Sequence, residues 1–153
     1  MKATVETKKF CEAAEFVSRA VRKASPLRGE FAGIMITTAG DYLHLEANDF
    51  ELCLKCNVEA KKIEQWGSIL VPAEPFVDLL KKIHASEIQL DFKAEDNMLA
   101  IQYGSAEARL STYPEEDYPK FEIEQDTCCV EIDHEAFAEA VKQVAIAVSS
   151  DEI

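Results

Sequence analysis

Cysteine shows the most suggestive spacing among the residue types that could do chemistry. Cys53 and Cys56 are three residues apart, as in many zinc and redox sites. Both fall in a segment predicted as a strand, where side chains three positions apart point to opposite faces. Cys128 and Cys129 are adjacent and meet the same obstacle. We therefore predict no metal site and no cofactor, and we expect all five cysteines to be reduced thiols.

Acidic residues and histidines are the other candidates for chemistry. Glu115, Glu116 and Asp117 form a carboxylate cluster, which is more typical of a solvated loop than of an acid–base pair. None of the three histidines has a second potential metal ligand at a helical or hairpin distance. They are His44, His84 and His134. Glycine-rich phosphate loops and the Gly-x-Ser-x-Gly elbow do not occur. The sequence thus predicts a non-catalytic protein, and a small enzyme using Asp117 or His134 is the least favoured alternative.

The charge of the chain is unevenly distributed. The formal net charge is -13, which by itself argues against nucleic-acid binding. Residues 1–28, however, contain seven basic and three acidic side chains, a local net charge of +4, so that the remainder carries -17. A basic segment on an acidic body is typical of a protein that attracts DNA to one surface and repels it elsewhere. A solvated charged helix is the alternative interpretation.

Hydrophobic periodicity predicts the elements that would position these residues. A strand at 1–8 precedes an amphipathic helix from Lys9 to Arg22. A second helix opens at residues 72–75, because proline is tolerated in the first helical turn. Strand-like runs fill the remaining stretches: 31–37, 42–46, 52–58, 68–71, 88–92, 98–103 and 106–111. The predicted order is β-α-βββ-β-α-βββ, which consists of two similar halves.

Length and hydropathy limit the setting in which this chain works. A chain of 153 residues can form one ordinary domain and a small piece of a second. No apolar run approaches the ~20 residues that a membrane-spanning helix needs, and the first residues lack the apolar stretch of a signal peptide. We expect a soluble, cytoplasmic protein.

The beginning of the chain is repeated near its end. A shift of 127 residues places Phe10 on Phe137 and Val17 on Val144, in phase with the predicted buried face of the helix. Glu12, Ala13, Ala20 and Val21 likewise meet identical residues. The pattern predicts a domain repeat, with a first domain at 1–122 and an incomplete second domain, a strand and a first helix, at 128–153.

Three short segments carry a resemblance to a known family. They are Ala47-Asn48-Asp49-Phe50-Glu51, Val71-Pro72-Ala73 followed by Phe76, and Leu110-Ser111-Thr112-Tyr113-Pro114-Glu115-Glu116-Asp117-Tyr118-Pro119. In this order they resemble the β subunit of bacterial DNA polymerase III, the sliding clamp. Phe50 departs from the leucine that is common in the family. The resemblance implies an α+β fold, a DNA-clamp domain with two helices packed on two small antiparallel sheets.

The resemblance also implies a function and candidate sites. Family subunits have three domains and join head to tail as a homodimeric ring around duplex DNA. The ring tethers DNA polymerase III, and the clamp loader is a further partner. The implied DNA-binding residues are basic and lie at the ends of the two helices: Arg19, Arg22, Lys23, Lys81 and Lys82. The implied ring-interface residues are apolar and lie on the second helix and the last strand: Leu79, Ile83, Ala108 and Leu110.

The chain alone would lack parts that the family requires. Without the third domain we expect a monomer, and we assign no residues to the pocket that binds polymerase peptides. The alternative to a clamp is a truncated clamp-like interaction module, or decoy, that does not form a ring.

Overall fold

The elements follow the predicted order, and β-α-βββ-β-α-βββ is confirmed. The computed structural model describes residues 1–21, 33–49, 51–118 and 130–148. The first half consists of β1 Lys2–Glu6, α1 Thr7–Val17, β2 Gly33–Ala39, β3 Tyr42–Asn48 and β4 Cys53–Gln65. The second half consists of β5 Ser68–Pro72, α2 Ala73–Lys81, β6 Glu87–Lys93, β7 Met98–Tyr103 and β8 Ala106–Ser111. A third helix, α3, spans His134–Ala145.

The strands pair in the order β5-β2-β3-β4-β1-β6-β7-β8, and each of these pairings is antiparallel. Strand β4 connects the two halves, since Cys53–Glu59 pair with β3 and residues from Ala60 onward pair with β1. The two small sheets of the prediction are therefore joined through one long strand. The α+β class with helices on antiparallel strands is confirmed.

The hydrophobic core lies between the strands and the two helices. Strand β1 alternates, with Ala3 and Val5 fully buried, while Lys2 lies on the other face. On the helices, Phe10 of α1 and Phe76 of α2 are both fully buried, with ring centroids 6.0 Å apart at an interplanar angle of 87°. This edge-to-face contact ties α1 to α2 within the core.

The two buried threonines differ in hydrogen bonding. Thr38 Oγ1 donates to the Gly67 carbonyl at 3.0 Å and accepts from the Gly67 amide at 2.8 Å, which fixes the β4–β5 connection to β2. Thr7, 5% exposed at the start of α1, has no hydrogen-bond partner for its Oγ1 among the described residues. A buried hydroxyl without a partner costs free energy that a paired one does not.

We expect valine to have opposite effects at these two positions. Thr38→Val should lower the free energy of unfolding by about 1–3 kcal/mol, because it leaves the Gly67 amide without its partner, while the Gly67 carbonyl keeps only the donor from the Thr38 backbone amide. Thr7→Val, which removes an unpaired hydroxyl at nearly constant shape, should leave stability unchanged or raise it by up to about 1 kcal/mol. Urea unfolding followed by circular dichroism measures both changes. A Thr7→Val loss as large as that of Thr38→Val would contradict the assignment.

The chain divides into two units, Met1–Phe121 and Glu122–Ile153. In the second unit, α3 begins and ends where the 127-residue shift places α1, to within one residue. The Asp133 side chain caps α3 by accepting from the Ala136 amide at 2.8 Å. Residues 130–133 form no strand, and α3 buries none of its residues. Within residues 130–148 the helix of the predicted repeat is therefore present and no strand accompanies it.

None of the helices in the described ranges has the length and hydropathy that crossing a bilayer requires.

Candidate nucleic-acid interface

The three short segments that carry the family resemblance have structural roles. Asp49 Oδ1 accepts from the amides of Glu51 and Leu52, at 3.1 and 2.8 Å, and so forms the turn between β3 and β4. An aspartate suits this position because its short side chain bonds to amides two and three residues on. In the second segment, Phe76 is fully buried in the core. Phe50 lies outside the described residues.

The third segment covers one end of the sheet. After β8 the chain returns to β5, where the Tyr113 amide donates to the Leu70 carbonyl at 2.8 Å. Ser68 Oγ then donates to Glu115, and Tyr118 is buried, which raises the pKa of its hydroxyl. Part of the acidic loop is therefore packed on the sheet, because Ser68 lies beside Glu115. The segment thus covers the outer edge of β5, which would otherwise be unpaired at Leu70.

The cysteines and histidines form no reactive constellation in the described ranges. Cys53 lies on the outer face, where partial burial and the nearby Glu46 carboxylate raise its thiol pKa, while Cys56 packs against the core. This confirms that the two cysteines of the C-x-x-C spacing point to opposite faces. His44 Nδ1 lies 2.5 Å from Asn57 Oδ1 across the β3–β4 pair. The described residues contain no group of three metal-ligating side chains, and Cys128 and Cys129 lie outside them.

The predicted DNA-binding residues are exposed where the structure describes them. Arg19 lies in a 3-10 turn, Ser18–Ala20, that extends α1. Lys81 is the last residue of α2 and Lys82 follows it, and both are exposed. Cations at the end of a helix are favoured there by the partial negative charge of the last carbonyls. Arg22 and Lys23 lie outside the described residues.

An acidic residue that the sequence prediction did not include binds one of these cations. Lys81 Nζ lies 2.8 Å from Glu15 Oε1, so that the pair bridges the end of α2 and the middle of α1. The hydrogen bond from Lys81 to Glu15 raises the pKa of the lysine. Glu15 precedes Arg19 by four residues, about one helical turn. The spacing to Arg19 was visible in the sequence, whereas the contact with Lys81 required the tertiary structure.

Most of the positive charge of residues 1–28 comes from residues after position 21. The local charge of +4 falls to +1 within residues 1–21, because Arg22, Lys23 and Arg28 follow. Lys2 also bonds Glu64 at 3.2 Å on the sheet face opposite the helices. Residues 7–20 and 73–82 together hold five basic and four acidic side chains. The described part of this surface suits weak contacts with phosphates rather than tight binding.

A groove lies beside this surface. Its volume is about 590 Å³, and it is lined by residues at the start of α1 and the end of α2. Lys8, Lys61, His84, Glu6 and Glu12 are among its lining residues, and Lys8 pairs with Glu12 along α1. Cys11 also lines it, and burial raises its thiol pKa, which disfavours the reactive thiolate. The groove contains charges of both signs without a nucleophile and base in contact.

The predicted ring-interface residues differ in burial. Strand β8 is the last strand in the order of the sheet, and among the described residues it pairs only with β7. Ala108 and Leu110 are half-buried on this strand, and Leu110 packs against the core. Leu79 on α2 is half-buried, whereas Ile83, two residues after the end of α2, is 7% exposed and belongs to the core. One edge of β8, beside Ala108, therefore has no pairing strand among the described residues, and little of Ile83 is accessible.

Comparisons with known proteins agree with this architecture. Residues 1–122 match the family model described as DNA polymerase III beta subunit, N-terminal domain. The chain is 29% identical over 99% of its length to a beta sliding clamp from Streptomyces coelicolor, and 27% identical over 99% to a beta sliding clamp homolog from Streptomyces muensis. It spans 39% of the length of each. A solved structure titled Caulobacter crescentus pol III beta superposes on the whole chain with a TM-score of 0.92 at 23% identity, over 41% of its own length.

Proposed function

Because this chain belongs to the DNA polymerase III β subunit family, we propose that it supplies the first domain, 1–122, and the start of the second, 128–153, of a DNA sliding clamp. The observation that carries the proposal is the likeness in fold over the whole chain, with a TM-score of 0.92. The 127-residue repeat and the helix that it places at His134–Ala145 support the assignment of the second domain.

The function that we propose is topological. A closed ring stays on a duplex without binding it tightly, so its inner wall needs only weak, sequence-independent contacts with phosphates. The near balance of charge on α1 and α2 fits this requirement. Arg19, Arg22, Lys23, Lys81 and Lys82 are the residues that we propose for these contacts. Long flexible side chains suit contacts that form and break during sliding.

Ring closure would use the unpaired edge of β8. A free strand edge offers backbone donors and acceptors for pairing with a strand of another subunit. We propose that Ala108, Leu110 and Leu79 contact the partner subunit, and that Ile83 supports them from the core. The chain spans 39% of its relatives, so the partner domain would belong to a longer protein. By itself we expect this chain to be monomeric.

The proposed partners follow from this role. Duplex DNA, DNA polymerase III and the clamp loader would bind the complete ring in the cytoplasm, and no step of this function requires catalysis by the chain.

Duplex binding tests the proposed DNA interface. In the chain with Arg22→Ala and Lys23→Ala, we expect lower affinity for duplex DNA of mixed sequence and a logarithmic salt slope that is flatter by about one to two units. Fluorescence anisotropy at several salt concentrations measures both quantities. The matched control is Lys55→Ala with Lys62→Ala, which removes two charges from the sheet face opposite the helices. An equal change in the control, or an unchanged slope in the test variant, would reject the interface.

A further inference from the structure

The ion pair between α1 and α2 joins a proposed DNA-binding residue to a carboxylate. Lys81 Nζ and Glu15 Oε1 are 2.8 Å apart, and the two side chains are 49% and 43% exposed. Both partners are therefore open to solvent on the helical surface. Arg19 and Lys82, the other described cations of the proposed interface, have no ion pair with any residue in the described ranges.

We propose that Glu15 acts as an internal competitor of DNA phosphate for Lys81, and so keeps contacts between this surface and the duplex weak. The inference rests on the proposed function and adds an acidic residue that tunes it. The Glu15 carboxylate takes one of the three N–H donors of the Lys81 ammonium group and offsets its charge, so a phosphate binds Lys81 most strongly when the ammonium group leaves Glu15. The carboxylate that remains then lies close to the phosphate and repels it.

The exposure of the pair makes such an exchange feasible. Ion pairs between exposed side chains contribute little net stability, because water competes with both partners. A phosphate of a polyanion can therefore displace Glu15 from Lys81, although at a cost in affinity. Asp78, one turn before Lys81 on α2, adds to the negative potential at the lysine. Glu15 is the acidic residue that contacts it directly.

Glu15→Gln separates competition from a merely structural role. Glutamine keeps the length of the side chain and its capacity to accept a hydrogen bond, but it removes the charge. In the 153-residue chain we expect about a threefold to tenfold gain in affinity for a mixed-sequence duplex at low salt, and a salt slope steeper by about 0.9. The gain should disappear in the double variant Glu15→Gln with Lys81→Ala. Fluorescence anisotropy over a salt series provides affinity and slope together.

Glu64→Gln is the matched control. Glu64 also pairs with lysines, Lys2 at 3.2 Å and Lys62 at 3.0 Å, and lies on the sheet face opposite the helices. The substitution Glu64→Gln changes the net charge of the chain by the same amount as Glu15→Gln. A larger gain for Glu15→Gln than for Glu64→Gln supports local competition at Lys81. Equal gains, no gain in either variant, or a gain that persists without Lys81 would overturn it.

The experiment also separates this inference from the proposed interface. If loss of Arg22 and Lys23 weakens duplex binding while Glu15→Gln behaves like Glu64→Gln, the interface stands and the role of Glu15 is refuted. If loss of Arg22 and Lys23 has no effect while Glu15→Gln tightens binding through Lys81, the competition at Lys81 stands and the wider interface fails.

Discussion

Phe10→Ala is expected to lower the free energy of unfolding of the first unit by about 3–5 kcal/mol. The ring of Phe10 is fully buried and meets Phe76 edge to face at 6.0 Å. Its removal forfeits the transfer free energy of the ring and leaves a cavity between α1 and α2, which flanking side chains fill only in part. Urea unfolding followed by circular dichroism measures the loss. A milder variant, Phe10→Leu, should fall between wild type and alanine and keeps the test usable if the alanine variant fails to fold.

The repeat provides a matched control for this prediction. Phe137 occupies the position of Phe10 after the 127-residue shift, in a helix of nearly identical bounds. Its side chain is 55% exposed, so Phe137→Ala should change stability by less than about 0.5 kcal/mol. Similar losses for Phe10→Ala and Phe137→Ala would contradict the difference in burial between α1 and α3.

The order of elements could be predicted because apolar spacing is a local property. Phe10, Ala13, Ala14 and Val17 recur at three- and four-residue steps, and all four are buried on one face of α1. Strand β4 was predicted only to Val58, yet it continues to Gln65. Residues 59–65 are mostly charged, so periodicity gives little signal there. Their strand conformation comes from pairing with β1, which is distant in sequence.

Only part of the candidate site could be predicted from the sequence, because only some of its features are local. Basic residues near the helix ends are visible in the sequence, and Arg19, Lys81 and Lys82 are exposed as a surface role requires. The contact of Glu15 with Lys81 joins residues 66 positions apart through the packing of α1 on α2, and no local pattern predicts it.

Ile83→Ala should lower the free energy of unfolding by about 2–5 kcal/mol, because the side chain is a core residue near the end of α2. The proposed interface residue Ala108 should respond differently. It lies on β8, the end strand, where a longer side chain can extend toward solvent. We expect Ala108→Lys to cost less than about 1 kcal/mol. Urea unfolding of the two variants in the 153-residue chain gives both values.

This pair of variants determines how ring closure can be tested in a longer clamp protein. A loss of ring formation in an Ile83 variant could result from a lost interface contact or from the lower stability of the domain itself. A loss of ring formation in Ala108→Lys would have a single explanation, because the domain stays folded. The substitution introduces a charge on β8, the strand at which pairing with the partner is proposed. Comparable destabilisation by Ile83→Ala and Ala108→Lys would show that β8 is a closed part of the core, and the proposed interface would then have to lie elsewhere.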